Sequence, residues 1–190
     1  EFMLNKDGSE HMRLRRLVVK AFTRRALEHM QREIDDAVRE ALDRALANGG
    51  MEVIGELALY LPSQMICRII GIPEADRLRF TDWTAARTNA FFAAFLPEEV
   101  KDNVRAAGEG MADYFEDLVK DRRQHMGEDL LSELIRAEED GDRLDADELI
   151  VQVIGLLVAG FETTIGLIGN GIRTLVNHPA QLQRLHDNLE

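Results

Sequence analysis

From Ala146 to Asn177 the chain runs in one apolar stretch in which, past the first turn, only Glu162 and Arg173 are charged. Its apolar positions recur with a helical period, Asp145 and Glu148 have the spacing of a capping box, and His178-Pro179 halts a helix at the far end. At about 1.5 Å per residue this helix spans on the order of 48 Å, enough to cross a small domain, so the rest of the chain must be arranged around it. Two features sit awkwardly in it. It carries Gly155, Gly160, Gly166, Gly169 and Gly171, each about 1 kcal/mol worse than alanine inside a helix. Its greasiest part, LLVAGFETT at 156–164, also accepts a carboxylate and two hydroxyls. An unpaired buried carboxylate costs several kcal/mol.

Two readings of that stretch stand about even on the residues alone. In one, the helix packs through small residues and Glu162 is ion-paired to an arginine elsewhere. In the other, the missing side chain at Gly160 lets a ligand touch the backbone, and Thr163 or Thr164 bonds to the ligand or to a carbonyl one turn back. Glu162 with Thr163 is then a proton-relay pair.

Helical periodicity dominates the remainder, predicting helices over 9–22, 25–47, 62–71, 74–89, 98–125 and 129–139, with a last one after Pro179 and one short strand at 51–53. Hydrophobic residues make up 45% and charged residues 31% of the 190, a globular mix with a sizeable core. No uncharged run is long enough to read as membrane-spanning. Glu1 and Phe2, ahead of Met3, read as a cloning remnant, and a single mostly α domain is expected over 9–190 behind a disordered lead-in at 1–8. The lone Cys67 allows no internal disulfide and fits a reducing cytoplasm. A net charge of −12 argues against nucleic acid as a general partner.

The first helix sorts its charges by direction. Leu14, Leu17, Val18 and Ala21 form an apolar arc, while Arg13, Arg16, Lys20 and Arg24 form a basic stripe. His11 and Arg15, four apart, share another face beside the arc. Such a pair suits a bidentate anion such as a carboxylate; plain arginine snorkelling toward the protein's many acids is the blander account. For the stripe the alternatives are a solvated face and a docking patch for an acidic protein.

These residues give the chain its resemblance to the cytochrome P450 superfamily, in its soluble bacterial branch. AGFETT at 159–164 matches the family's I-helix pattern, and HMRLRRLVVKAFT at 11–23 resembles its C helix with the His-x-x-x-Arg pair. MICRIIGIPEAD at 65–76 is similar to the E helix and its exit, and VNHPAQLQRL at 176–185 to the I-to-J connection. The four lie in the family's order. The resemblance implies the helical core of that fold, about the C to J helices, without its β-rich N-terminal region or its haem-cysteine part. It implies haem as cofactor, with His11 and Arg15 on the propionates and Ala159 and Gly160 leaving the distal groove open. Thr163 would hydrogen-bond the iron-bound peroxo group, and Glu162 would take part in proton delivery. Arg13, Arg16, Lys20 and Arg24 would lie near the surface that receives electrons from a ferredoxin. Phe91, Phe92, Phe95 and Leu96 would roof a pocket for a small organic substrate that is hydroxylated or epoxidised.

The family's axial cysteine sits in a Phe-x-x-Gly-x-x-x-Cys-x-Gly loop, which Cys67 does not match: Tyr60, Ser63 and Ile69 stand at the defining positions. Cys67 instead reads as a small buried hydrophobe. The family's Glu-x-x-Arg belongs after the J helix, so the tetrads at 10–13, 74–77 and 133–136 are chance. The 190-residue chain is therefore expected to be inactive alone, without thiolate-ligated haem, and to self-associate or swap domains through the exposed face of its long helix. The alternative function is a haem-free helical partner or activator of another enzyme.

Overall fold

A computed structural model describes residues 2–22, 24–139 and 144–188; the side chains at 20, 21, 24–29, 91–93 and 137–139 lie outside the description. Eight α-helices are defined in it: α1 Gly8–Ala21, α2 Arg24–Asn48, α3 Tyr60–Ile70, α4 Arg77–Thr88, α5 Glu98–Gln124, α6 Leu130–Glu139, α7 Ala146–Asn177 and α8 Pro179–His186. No strand occurs among the described residues.

Local chemistry sets the boundaries. The capping box of α7 is present: the Asp145 carboxylate accepts from the Glu148 amide at 2.7 Å, and Glu148 Oε2 accepts from the Asp145 amide at 3.3 Å. Pro97 stands at the N-cap position of α5, and its carbonyl accepts the Lys101 amide at 3.1 Å. The strand expected at 51–53 is not formed. Both Glu52 carboxylate oxygens accept backbone N–H groups, from Ile54 at 3.0 Å and Gly55 at 2.5 Å, which starts a helix there instead. That helix begins as a π segment, Ile54–Leu59, and runs straight into α3. Pro62 therefore lies inside a helical run rather than opening one. A proline cannot donate to the carbonyl four residues back and its ring crowds that group, and a wider turn just upstream accommodates both.

Helix α7 is packed by α3, α4, α5 and α6, and α1 lies against α6. The core forms around the first half of α7: Leu149, Ile150, Val153, Leu157 and Phe161 are buried with Leu14, Leu17 and Val18 of α1, Phe80 of α4, Met111 and Phe115 of α5, and Leu131, Leu134 and Ile135 of α6. Cys67 is buried among them, and desolvation there pushes its thiol up to about 11, so it is held protonated at neutral pH as expected of an inert core residue. Beyond Phe161 nothing on α7 is buried; Leu167 and Val176 are largely exposed. An apolar groove of about 530 Å³ runs there between Val53, Ile54 and Ile165, Gly169 and Val176.

Met3–Asn5 form a 3-10 turn, Met3 packs against the core, and the Phe2 ring lies over Gly155 so closely that a Cβ there would stand 2.2 Å from it. Phe2 occupies the space that the glycine leaves.

Candidate functional site

Position on α7 decides which of its polar residues face a ligand. Gly155, Ala159 and Thr163 follow one another at i, i+4 and i+8, and so share a face. Ala159 and Thr163 are exposed on it, whereas Phe161, on the opposite side, is buried in the core. Gly160 is not on that face. A Cβ at 160 would stand 3.0 Å from Ile66 Cδ1, so α3 lies close at this glycine, while Ala159 is exposed.

Both threonine hydroxyls turn back along the helix: Thr163 Oγ1 donates to the Ala159 carbonyl at 2.6 Å and Thr164 Oγ1 to the Gly160 carbonyl at 2.9 Å. Two consecutive carbonyls thus take an extra donor, which loosens the helical ladder at this turn. Glu162 is half-buried and makes no hydrogen bond or ion pair among the described residues. Partial exposure, rather than an internal arginine, removes the desolvation penalty that its apolar surroundings suggest.

His11 and Arg15 project from α1. His11 is half-buried, and its Nδ1 meets the Met3 carbonyl at 2.9 Å. Arg15 is exposed, and neither Arg15 nor His11 Nε2 has a further partner among the described residues. Met3 connects this pair to α7, because its amide donates to Gln152 Oε1 at 3.0 Å. His11 is therefore two hydrogen bonds from α7, at a point about 10 Å along the axis from Ala159.

The basic stripe divides. Arg13 is held in a fork by Glu148, with Nη2 at 2.5 Å from Oε1 and Nη1 at 3.3 Å from Oε2. It is an internal tie between α1 and the start of α7. Arg16 is exposed, and the side chains of Lys20 and Arg24 lie outside the description, as do those of Phe91 and Phe92. Phe95 is exposed and Leu96 half-buried. Sequence reasoning missed Phe2, Met3 and Gln152; the available signal was a glutamine inside the run LIVQVIG.

The comparisons agree with this architecture. The cytochrome P450 family profile matches residues 1–190, Glu1 and Phe2 included. Cytochrome P450 107B1 of Saccharopolyspora erythraea is 39% identical over 98% of this chain and 44% of its own length. The mycinamicin IV hydroxylase/epoxidase of Micromonospora griseorubida is 36% identical over 99% of this chain and 46% of its own. The crystal structure of P450BioI, in complex with an acyl carrier protein ligated to hexadec-9Z-enoic acid, superposes with a TM-score of 0.90 at 34% identity, covering 98% of this chain and 48% of that one. The chain thus spans about half the length of the relatives it matches. With its helices in the same arrangement and its whole length inside the profile, the chain belongs to the cytochrome P450 family.

Proposed function

We propose that the chain is the helical segment of a haem-dependent monooxygenase that hydroxylates or epoxidises a small organic substrate with dioxygen. The observation that carries this reading is the exposed Ala159–Thr163 face of α7, tied through Met3 to the His11–Arg15 edge of α1. The residues present fit part of a haem's outline. His11 Nε2, when it carries a hydrogen, and the Arg15 guanidinium suit two carboxylates, and Ala159 offers a small, open surface about two turns along α7 from Gln152. When bound, the haem supplies the redox chemistry of oxygen activation.

The chain's own groups bind, position and move protons. His11 and Arg15 would fix the cofactor's anionic edge. Ala159 keeps space open above it, and Gly160 sets how closely α7 lies on α3. The Thr163 hydroxyl, already directed at the Ala159 carbonyl, can exchange that acceptor for a bound one and hold a proton at Oγ1. Glu162 lies about 100° round the helix from Thr163, so a proton passing from its carboxyl to Oγ1 travels by an intervening water. Docking of an electron donor such as a ferredoxin would use Arg16, with Lys20 and Arg24 along the stripe, while Arg13 is engaged with Glu148. In the intact, haem-bound protein, Thr163→Ala should leave oxygen consumption running while product per dioxygen falls about tenfold or more. Unchanged coupling would refute the role given to Thr163.

Cys67 is buried and kept protonated and so does not itself fit an axial thiolate; the second reading is of a different class. A haem-free helical partner of another enzyme needs no such ligand. A thiolate-type Soret band in the purified 190-residue chain would dispose of that alternative. For this chain by itself, the exposed Leu167 and Val176 beside the apolar groove favour self-association. Size-exclusion chromatography with light scattering should show a dimer or larger, and a well-folded monomer at all concentrations would contradict it.

A further inference from the structure

Gln152 is the only fully buried polar side chain on α7, one turn from Gly155 in an otherwise apolar segment. A buried amide is retained where it satisfies a specific partner, and here that partner is a backbone group outside the helix. Gln152 Oε1 accepts the Met3 N–H at 3.0 Å, and the Met3 carbonyl lies 2.9 Å from His11 Nδ1. Met3 is also pinned by its side chain against the core, and the preceding Phe2 by its ring over Gly155. The Met3 peptide is thus clamped on both sides, and its carbonyl is a fixed acceptor.

A carbonyl oxygen only accepts, so the hydrogen of His11 must sit on Nδ1. That leaves Nε2 as the ring atom available to a ligand. We propose that Gln152 is a positioning residue for His11: through the Met3 peptide it fixes the imidazole's orientation and places the hydrogen on Nδ1, so that Nε2 faces the anion. A carboxylate only accepts, so Nε2 can bind it when that atom also carries a hydrogen, the Nδ1–H staying with the Met3 carbonyl. This extends the reading of His11 as an anion-binding residue and rests on that reading for its purpose, although the relay itself does not depend on haem.

The test is tautomer assignment by long-range 1H–15N spectra of the 190-residue chain with 15N-labelled histidine. The spectra are recorded without haem at pH about 9, where an ordinary histidine is neutral. His11 is one of five histidines and is assigned by its loss in His11→Gln. In the parent chain His11 should be predominantly the Nδ1–H tautomer. Gln152→Leu should convert it to predominantly Nε2–H. Met3→Pro, which deletes the N–H together with the packed side chain, should do the same. Proline is tolerated at the first position of a helical turn, and Phe2 before it already has the extended backbone (ψ 146°) that a following proline requires. If Gln152→Leu fails to fold, Met3→Pro decides the matter. Nε2–H in the parent chain, or Nδ1–H persisting in the folded variants, would overturn the proposal. Haem affinity unaltered by His11→Ala would instead remove the cofactor reading and leave the relay standing.

Discussion

Replacing Gly71 by alanine should lower stability by about 3 kcal/mol, whereas the same change at Gly49 should cost only about 1 kcal/mol. Both glycines end a helix with positive φ, +93° at Gly71 and +75° at Gly49, so both substitutions force an L-residue into the left-handed region. The difference lies in what a Cβ would meet. Nothing lies within 4 Å at Gly49, but at Gly71 the Asp129 side chain stands 2.5 to 2.8 Å away. Asp129 cannot simply withdraw. Its carboxylate accepts from Arg122 Nε at 2.9 Å and caps α6 by accepting the Ser132 amide at 2.8 Å. Arg122 in turn donates to the Gly71 carbonyl at 2.8 Å. The cluster joins the ends of α3, α5 and α6, and the intruding methyl displaces its central carboxylate, leaving charge-assisted bonds strained or unmade. Urea unfolding of the two variants, read at constant m, separates the terms. Equal losses at the two sites would show that only the dihedral matters and that the cluster yields freely.

The helical architecture was legible because most of its determinants are local. Asp145 and Glu148 define the start of α7 within four residues, and His178-Pro179 defines its end. Where an unusual local cap or a long-range partner decided, the sequence misled. The run 51–53 has a strand-like look, yet the carboxylate of Glu52 caps the following amides and a π segment relieves Pro62, an arrangement with no simple periodic signature. At Gly160 the sequence does not show that Ile66 of α3 comes close to where a Cβ would stand. Arg13 belongs to the basic stripe by angle, but Glu148, already part of the capping box, draws it inward across 135 residues of chain. Met3 joins α1 to α7 through its peptide, beside the Arg13–Glu148 tie, which no local signal shows. The polar pair Glu162 and Thr163 was visible from one stretch of sequence, while the Gln152–Met3 bond on the same helix joins residues 149 apart.

The largest stability loss should come from Phe80→Ala, about 4 kcal/mol, or a fall in melting temperature on the order of 10 °C for a chain of this size. Phe80 is 1% exposed and stands at the centre of an aromatic cluster between α4 and α5. It meets Trp83 edge-on at 5.2 Å, Tyr114 edge-on at 4.8 Å and Phe115 at a tilt at 5.4 Å. Each geometry adds to simple area burial. The partners are themselves fixed and cannot collapse into the space. Trp83 sits over Gly110, where a Cβ would come within 2.8 Å of its ring, and carries the Arg79 guanidinium 4.2 Å above it. The Tyr114 hydroxyl donates to Asp76 Oδ2 at 2.7 Å, and burial first, with the Asp76 carboxylate second, pushes its phenol above the usual range, so it stays a donor. A site whose walls are held from behind keeps its cavity, and the cavity term is then paid nearly in full. Phe80→Leu, which refills most of the volume, should cost about 1.5 kcal/mol. Thermal unfolding of the pair would reveal the cavity as the gap between them; similar small losses in both would mean that α4 and α5 close over the vacancy and that the aromatic cluster is softer than its contacts imply.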